Sequence, residues 1–213
     1  MTRRPWARRV SATAVSAAAL AALAAPAEAA GTAASTGSTA TAAASTTAAK
    51  VDHATWQKDC QAVMDQALPY LKDRIAAAGP GEKQAIVFDV DNTTLETDFG
   101  FSFPQPANKP VLDVARYAQG HGVSLFFVTA RPGIIEAPTE WNLEHDGYEV
   151  SGLRVRGFLD LFKDVAAYKT AQRADIEKRG YTIIANIGNS ATDLSGGHAE
   201  RTYKLPDYDG QLS

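Results

Sequence analysis

The chain has 213 residues and a formal net charge of −3, from 24 acidic and 21 basic side chains. This length leaves room for one domain of typical size besides any terminal extension. The net negative charge gives no indication of a basic surface for a nucleic acid polymer. The chain has a single cysteine, Cys60, which excludes an internal disulfide framework.

Residues 1–29 predict a secretory signal peptide. Four arginines precede an apolar, alanine-rich stretch over residues 10–25, and the small residues Ala27 and Ala29 fit cleavage after Ala29. We expect the general export route, because the residues around Arg8 and Arg9 match the twin-arginine pattern poorly. No other run is long and apolar enough to span a bilayer, so we expect a secreted mature protein that is free of the membrane.

Residues 30–50 predict a disordered linker. This stretch consists almost entirely of Ala, Thr, Ser and Gly, and it has no large apolar side chain that could offset the entropy lost on ordering. Residues 51–213 are therefore the predicted domain.

The domain begins with a predicted helical extension over residues 51–78. Apolar residues recur there at steps of three and four, which defines one buried stripe: Trp56, Cys60, Val63, Met64, Ala67, Leu71 and Ile75. We expect Pro69 to kink or split this helix. The position of Cys60 on the stripe favours a buried structural thiol over a reactive one.

Three apolar runs predict buried parallel strands, over residues 85–88, 123–128 and 181–187. Helical patterns separate them, over residues 110–119, 138–145 and 165–179. This alternation predicts an α/β fold with a doubly wound, Rossmann-like parallel sheet. Weaker patterns suggest a hairpin within residues 96–106, short strands within residues 157–162 and 201–205, and a short helix that Ser190 caps.

Two carboxylates, Asp89 and Asp91, follow the first predicted strand. At the carboxyl end of such a strand they project into the crevice where open α/β sheets bind ligands. Carboxylates this close repel each other unless a cation or a shared proton relieves them. The pair therefore suits Mg²⁺-assisted phosphoryl transfer, with one Asp attacking phosphorus and the other moving a proton. An ordinary Asx-type turn is the other interpretation of these residues.

Further candidate site residues follow the other strands or lie on the helix that leads into one. Thr129 follows the second strand, where its hydroxyl can hold a phosphate oxygen. Lys169 could neutralise charge on the phosphoryl group and on the nucleophile. Asn189 and Asp193 follow the third strand and could complete an oxygen-rich Mg²⁺ site. Taken singly, each has a common structural role in a cap, a turn or a solvated helix face.

The order Asp89-Val90-Asp91-Asn92-Thr93, then Thr129, Tyr168-Lys169-Thr170 and Gly188-Asn189 with Asp193 resembles the four motifs of the haloacid dehalogenase (HAD) superfamily. Within it, the chain is most similar to secreted acid phosphatases, the group with bacterial class B-type enzymes and plant vegetative storage proteins. The resemblance covers roughly residues 51–207. It implies a HAD-like sheet with a small or minimal cap and a phosphate monoester as substrate.

This resemblance also implies roles for the site residues. Asp89 would form an aspartyl-phosphate, and Asp91 would protonate the leaving alcohol and then activate water. Thr129 would hold phosphate, and Lys169 would tether both phosphate and Asp89. Mg²⁺ would be bound by Asp89, Asp91 through its carbonyl, Asn189 and Asp193.

One position departs from the family pattern, because Asn189 stands where the family usually has a metal-binding aspartate. An amide oxygen can still coordinate, but the site loses one negative charge. We therefore expect weaker metal binding, or a larger share of the binding by Asp193, and tighter Mg²⁺ binding when Asn189 is replaced by Asp.

Three alternatives stay open from the sequence. The protein could be a broad acid phosphatase, a 5′-nucleotidase, or a catalytically silent storage or binding protein on the same fold. An aromatic set could line a slot for a nucleoside or aryl leaving group or form part of the core: Phe99, Phe101, Phe103, Trp141 and Tyr148. The sequence predicts neither the natural substrate nor the oligomeric state.

Overall fold

The computed structural model describes residues 50–100 and 102–212. The predicted signal peptide, nearly all of the predicted linker and Phe101 lie outside these residues, so the domain boundaries stay predictions. Helices and strands alternate in the order α1 His53–Ala76, β1 Lys83–Phe88, α2 Lys109–Gln119, β2 Ser124–Pro132, α3 Glu136–Asp146, β3 Val150–Arg156, α4 Val165–Lys178, β4 Tyr181–Gly188, α5 Ala191–Leu194 and β5 Thr202–Lys204. No described helix is both long and apolar enough to cross a membrane.

The five strands form one parallel sheet in the order β3-β2-β1-β4-β5. This confirms the predicted doubly wound α/β fold. The chain builds outward from β1 in one direction through β2 and β3, and then returns to add β4 and β5 on the other side. The strand order therefore reverses between β1 and β4, which is the position where open sheets bind ligands beyond the carboxyl ends of their strands.

Helices cover both faces of the sheet, and alternate residues of β1 enter two separate cores. Ile86 and Phe88 pack in the larger core with residues of α1 and α2, whereas Ala85 and Val87 pack with Tyr168 and Ile176 of α4. Successive side chains of a strand point to opposite faces, so β1 is apolar on both. That double burial explains why its sequence is a continuous apolar run.

The predicted N-terminal helix is one continuous element, α1. The Asp52 carboxylate caps it by accepting a hydrogen bond of 2.9 Å from the Thr55 N–H. The helix continues through Pro69, so it is not split there. Its buried stripe is as predicted for Trp56, Cys60 and Met64, and the Cys60 thiol is fully buried.

The predicted hairpin within residues 96–106 was wrong. Its ends meet at a single antiparallel bridge between Leu95 and Ala107, and a 3₁₀ turn over Thr97–Phe99 occupies part of the loop. Pro104 and Pro106 explain the difference, because neither has the N–H that a strand pairing requires. Phe99 packs instead against Trp56 of α1, with ring centroids 4.5 Å apart.

The predicted strand within residues 157–162 was also wrong. The strand is β3, Val150–Arg156, and Phe158–Phe162 form a 3₁₀ helix after it. As an edge strand that carries Ser151, Arg154 and Arg156, β3 lacks the continuous apolar run of the central strands. Among the described residues, the segment between β1 and α2 holds a 3₁₀ turn, loops and isolated bridges at Leu95, and the segment between β3 and α4 holds a 3₁₀ helix.

Candidate active site

The residues predicted for the site come together beyond the carboxyl ends of β1, β2 and β4. A cavity of about 370 Å³ is lined there by Asp89, Asp91, Lys169, Asn189 and Asp193. The sixth predicted residue, Thr129, is buried beside the cavity, with its Oγ1 atom 3.5 Å from Asp91 Oδ2. Four separate segments of the chain therefore converge on one crevice.

Asp89, Lys169 and Asp193 form a buried charged triad. The Lys169 ammonium lies 2.5 Å from Asp89 Oδ1 and 2.6 Å from Asp193 Oδ1, and all three side chains are almost fully buried. Two carboxylates share one cation, so the triad has one uncompensated negative charge when both carboxylates are ionised. Burial raises the pKa of Asp89, Lys169 lowers it and Asp193 raises it again, and the net pKa lies above the usual carboxyl range.

For Lys169, the cation of the triad, the neighbouring charges outweigh the effect of burial on the pKa. Burial lowers the pKa of Lys169, but the two carboxylates more than reverse this, and the net pKa lies above its usual value. Lys169 is therefore charged at neutral pH. Lys169 belongs to α4, and the N-cap residue of this helix, Asp164, accepts a hydrogen bond of 2.8 Å from the Ala167 N–H.

Asp193 is held by the turn that leads into α5. Its Oδ2 atom accepts a hydrogen bond of 2.8 Å from the Ser190 N–H, which forms a capping box with the Ser190 side chain. A Cβ at residue 188 would collide with the Asp193 side chain, so only glycine fits there. Both carboxylate oxygens of Asp193 are thus already paired, one with Lys169 and one with the backbone.

Asp91 lines the same cavity as the triad and pairs with Arg131. The Arg131 guanidinium donates to both carboxylate oxygens, from Nη2 to Oδ1 at 2.8 Å and from Nε to Oδ2 at 3.0 Å, and the Thr97 hydroxyl donates to Oδ1 at 2.9 Å. Burial raises the pKa of Asp91, but Arg131 and Thr97 lower it by more, so the net pKa lies below the usual value. Asp91 is therefore ionised in this arrangement.

Sequence reasoning gave no site role to Arg131 or Thr97. Arg131 follows Thr129 by two residues at the polar end of β2, so a charged residue just past an apolar strand was the available signal. Its other contacts fix its position: it donates to Gln105 Oε1 at 2.7 Å and to Thr139 Oγ1 at 3.0 Å. Thr97 belongs to the irregular loop after β1, where the sequence has no periodic signal.

Asn189 lies directly beyond β4 and is buried. Its Nδ2 atom donates to the backbone carbonyl of Leu212 at 2.7 Å, and its Oδ1 atom accepts from the Thr93 hydroxyl at 3.3 Å. The amide oxygen is thus only weakly engaged, whereas the nitrogen is firmly bonded.

These donors fit a magnesium ion better than a metal that needs a dense ligand cluster. Within residues 50–100 and 102–212, no three His, Cys, Asp or Glu side chains converge as a metal site. Among those residues Asp89 Oδ2 accepts no hydrogen bond, and Asn189 Oδ1 accepts a long one. Two protein oxygens of this kind suit Mg²⁺, which binds hard oxygen ligands and keeps several waters.

The aromatic set divides between the core and a second cavity. Tyr148 is buried, and its hydroxyl donates to the Thr94 carbonyl at 3.2 Å, while Phe99 packs on α1. Phe103 is 66% exposed and stacks on Trp141, with ring centroids 5.4 Å apart. A cavity of about 510 Å³ adjoins the first, and its lining comprises Phe103, Ile135, Pro138 and Thr139 with Asp91, Thr97, Gln105 and Arg131.

The chain is similar in sequence to known proteins. A family model described as HAD superfamily, subfamily IIIB (Acid phosphatase) matches residues 8–211. The Stem 28 kDa glycoprotein of Glycine max is 36% identical over 120 residues, which are 54% of this chain and 47% of that protein. The Stem 31 kDa glycoprotein of Glycine max is 36% identical over 120 residues, which are 54% of this chain and 41% of that protein. The chain thus spans less than half of the length of these relatives.

Solved structures share the fold. The class C acid phosphatase from Bacillus anthracis has a TM-score of 0.53 at 18% identity, over 68% of this chain and 67% of that one. The same phosphatase with tungstate bound has a TM-score of 0.52 at 17% identity, over the same shares of the two chains.

Proposed function

Because this chain belongs to subfamily IIIB of the HAD superfamily, the acid phosphatases, we propose that it is a secreted, Mg²⁺-dependent phosphatase that hydrolyses phosphate monoesters. The observation that carries the proposal is Asp89 itself. It is buried beside a lysine at a cavity large enough for a phosphate group, and one of its oxygens accepts no hydrogen bond from the part of the chain that the structure describes.

Asp89 is the proposed nucleophile. Its Oδ2 atom attacks phosphorus, a P–O bond to the enzyme forms, and the P–O bond to the leaving alcohol breaks. The negative charge that Asp89 brings to the phosphoryl group is offset by the Lys169 ammonium, which already lies 2.5 Å from the other carboxylate oxygen. Water then attacks the aspartyl-phosphate and releases inorganic phosphate, which restores the carboxylate.

Asp91 is the proposed acid and base. It gives a proton to the leaving oxygen in the first step and takes one from the attacking water in the second. The bidentate pair with Arg131 keeps it ionised before a substrate binds. A phosphate dianion in the cavity offers Arg131 a second anionic partner, which weakens the hold of Arg131 on Asp91 and favours protonation.

The remaining residues bind and orient the substrate. Thr129 and the adjoining backbone hold a phosphate oxygen, and Arg131, which lines both cavities, is a second cation for the phosphate besides Lys169. Mg²⁺ would be held by Asp89, Asn189 and the Asp91 carbonyl, and when bound it would neutralise charge on the phosphoryl oxygens. Asp193, with both oxygens paired, supports Lys169 in this proposal.

The second cavity supports an apolar or aromatic leaving group. Phe103, Ile135 and Pro138 line it, and Asp91 and Arg131 stand where it joins the phosphate cavity. A flat ring seated there would stack beside Phe103 while its phosphate reached Asp89. On this basis aryl phosphates and nucleoside monophosphates, the substrates of a 5′-nucleotidase, should be hydrolysed with higher kcat/KM than small sugar phosphates.

The rival proposal is a catalytically silent storage or binding protein on the same fold. A colorimetric aryl-phosphate assay between pH 4 and 8, with Mg²⁺ and with chelator, separates the two. Turnover that requires Mg²⁺ supports the phosphatase, and absence of turnover at every pH supports the silent protein. Comparing aryl phosphate, nucleoside monophosphate and sugar phosphate in the same assay tests the substrate class.

A further inference from the structure

The side-chain amide of Asn189 is hydrogen-bonded to Leu212, which lies 23 residues later in the chain. Its Nδ2 atom donates to the Leu212 carbonyl at 2.7 Å, and both groups are buried. An amide has a donor for that carbonyl and an acceptor on its other side, whereas a carboxylate has acceptors only. An aspartate at this position would place two acceptors against each other.

Leu212 itself is fixed independently of the site. Its side chain is fully buried in the larger core, and its N–H donates to the Asp207 carbonyl at 3.1 Å. The segment of residues 207–212, here termed the C-terminal strap, is also tied to the start of α1. The Val51 N–H donates to Gln211 Oε1 at 3.1 Å, and the Tyr208 hydroxyl donates to Asp59 Oδ2 at 2.7 Å.

We infer that the C-terminal strap positions Asn189 for the metal, with Leu212 as the positioning residue. The Leu212 carbonyl holds the amide nitrogen, so the amide oxygen is left to face Thr93 and the cavity. Orientation decides the outcome, because Mg²⁺ takes oxygen ligands and an amide turned the other way would present N–H groups to it. This inference rests on the proposed function, in which Asn189 is a metal ligand, and it gives a physical reason for asparagine at this position.

Mg²⁺ binding to four full-length proteins tests the inference by calorimetry: wild type, Leu212→Ala, Asn189→Asp and the double variant. Leu212→Ala keeps the backbone carbonyl but removes the buried side chain that anchors it in the core. In the Asn189 background the carbonyl should therefore shift, and the Kd for Mg²⁺ should rise up to about tenfold, the usual cost of disturbing a partner that orients a metal ligand. In the Asn189→Asp background the same change should alter the Kd by less than about twofold, because the carboxylate does not bond the strap. Equal costs in both backgrounds, or no cost beside Asn189, would overturn the inference.

Leu71→Ala is the matched control. Leu71 is an equally buried leucine of the same core, but it lies on α1 and lines neither cavity. It should lower the melting temperature as Leu212→Ala does and leave the Kd for Mg²⁺ unchanged. An equal rise in Kd would mean that general loosening of the core explains the effect. If Leu212→Ala does not fold, the exposed Gln211→Ala takes its place in the same cycle, since it releases the strap from Val51 without leaving a cavity.

A kinetic measurement separates this inference from the proposed function. With an aryl phosphate, Leu212→Ala should raise the Mg²⁺ concentration for half-maximal rate and leave the rate at saturating Mg²⁺ close to that of the wild type. If the wild type is inactive but Leu212→Ala raises the Kd for Mg²⁺ only in the Asn189 background, the proposed phosphatase activity is refuted and the inference about the C-terminal strap is supported. If the wild type is active but Leu212→Ala raises the Kd equally in both backgrounds, the phosphatase is supported and the inference about the strap is refuted. A wild type that binds no Mg²⁺ would also refute the inference about the strap.

Discussion

Lys169 is shared by two buried carboxylates, and this sharing sets the energetics of the site. Its ammonium lies within 2.6 Å of both Asp89 and Asp193, so the triad carries a net negative charge when both carboxylates are ionised, and all three side chains are buried. Removing one carboxylate relieves repulsion, whereas removing the cation leaves two like charges unpaired. Substitutions at the two ends of the same ion pair should therefore act in opposite directions on stability.

Asp89→Asn should lower kcat by about four orders of magnitude, because an amide is not a nucleophile. The side chain keeps its size and Lys169 keeps Asp193 as a partner, so the melting temperature should stay the same or rise. Steady-state kinetics and thermal unfolding measure the two effects. Turnover by the purified variant near the wild-type rate would rule out the covalent mechanism.

Lys169→Met is the contrasting variant. It should also abolish turnover, but it leaves Asp89 and Asp193 buried without their cation, which should cost about 3–5 kcal/mol of unfolding free energy. Chemical denaturation of both variants shows the difference. Equal stability of the two would mean that the triad contributes no net electrostatic energy.

At the scale of single elements, α1 is held to the sheet by charge at one end and by packing along its length. Arg74 near its C-terminal end pairs with Glu82 and with Glu200, and the Tyr70 hydroxyl donates to Glu200 at 2.9 Å. Along the buried stripe, Trp56, Cys60 and Met64 have no exposed surface. The sequence predicted this stripe well, because a helix with one apolar face has an unambiguous period.

The Arg74 cluster predicts a dependence of stability on pH. Hydrogen bonds from Arg74 and from the Gly79 N–H lower the pKa of Glu82 to about 2, from an ordinary value of 4.5. A carboxylate with a lowered pKa stabilises the fold fully above pH 4.5, and this stabilisation is lost as the pH falls towards 2. Glu82→Gln should therefore be less stable than the wild type at pH 6 and equal to it near pH 2. Glu149→Gln, at an exposed position without a salt bridge among the described residues, is the control for denaturation at both pH values.

The thiol of α1 should report on the packing of the helix. Burial raises the pKa of Cys60 to about 12, and the side chain is fully enclosed. Because the thiolate is the reactive form, a thiol reagent should label native protein only at the rate at which α1 opens, and should label unfolded protein at once. Mass spectrometry of labelling in rising denaturant measures this. Rapid labelling in native buffer would show that α1 is loosely packed.

At the scale of the whole molecule, the parallel sheet and the grouping of the site residues could be predicted from the sequence. Apolar runs predicted β1, β2 and β4. Because parallel strands present their carboxyl ends at one edge of a sheet, the sequence also predicted that Asp89 and Asn189 lie close together. Edge strand β3 could not be predicted in the same way, because a half-exposed strand with arginines has no continuous apolar run. The pairing of Arg131 with Asp91 and of Asn189 with Leu212 depends on loops, whose paths leave no periodic signal.

The predicted linker should be dispensable for folding and activity. A chain that begins at Lys50 contains every described contact of the domain, and residues 31–49 have no large apolar side chain with which to dock. Its melting temperature and kcat/KM should match those of the protein that begins at residue 30. A loss of more than a few degrees in melting temperature would show that the linker packs on the domain.

The C-terminal strap has a consequence for the order of events during biosynthesis. The residues that line the crevice lie between Asp89 and Asp193, and Leu212, whose carbonyl accepts a hydrogen bond from the Asn189 amide, follows all of them in the chain. A chain that emerges from its amino end can therefore pair β1 with β2 before Asn189 has this partner. The crevice is therefore completed only once Leu212 has joined the core, and a chain that still lacks Leu212 would carry the proposed nucleophile, Asp89, without a fixed place for the proposed metal ion.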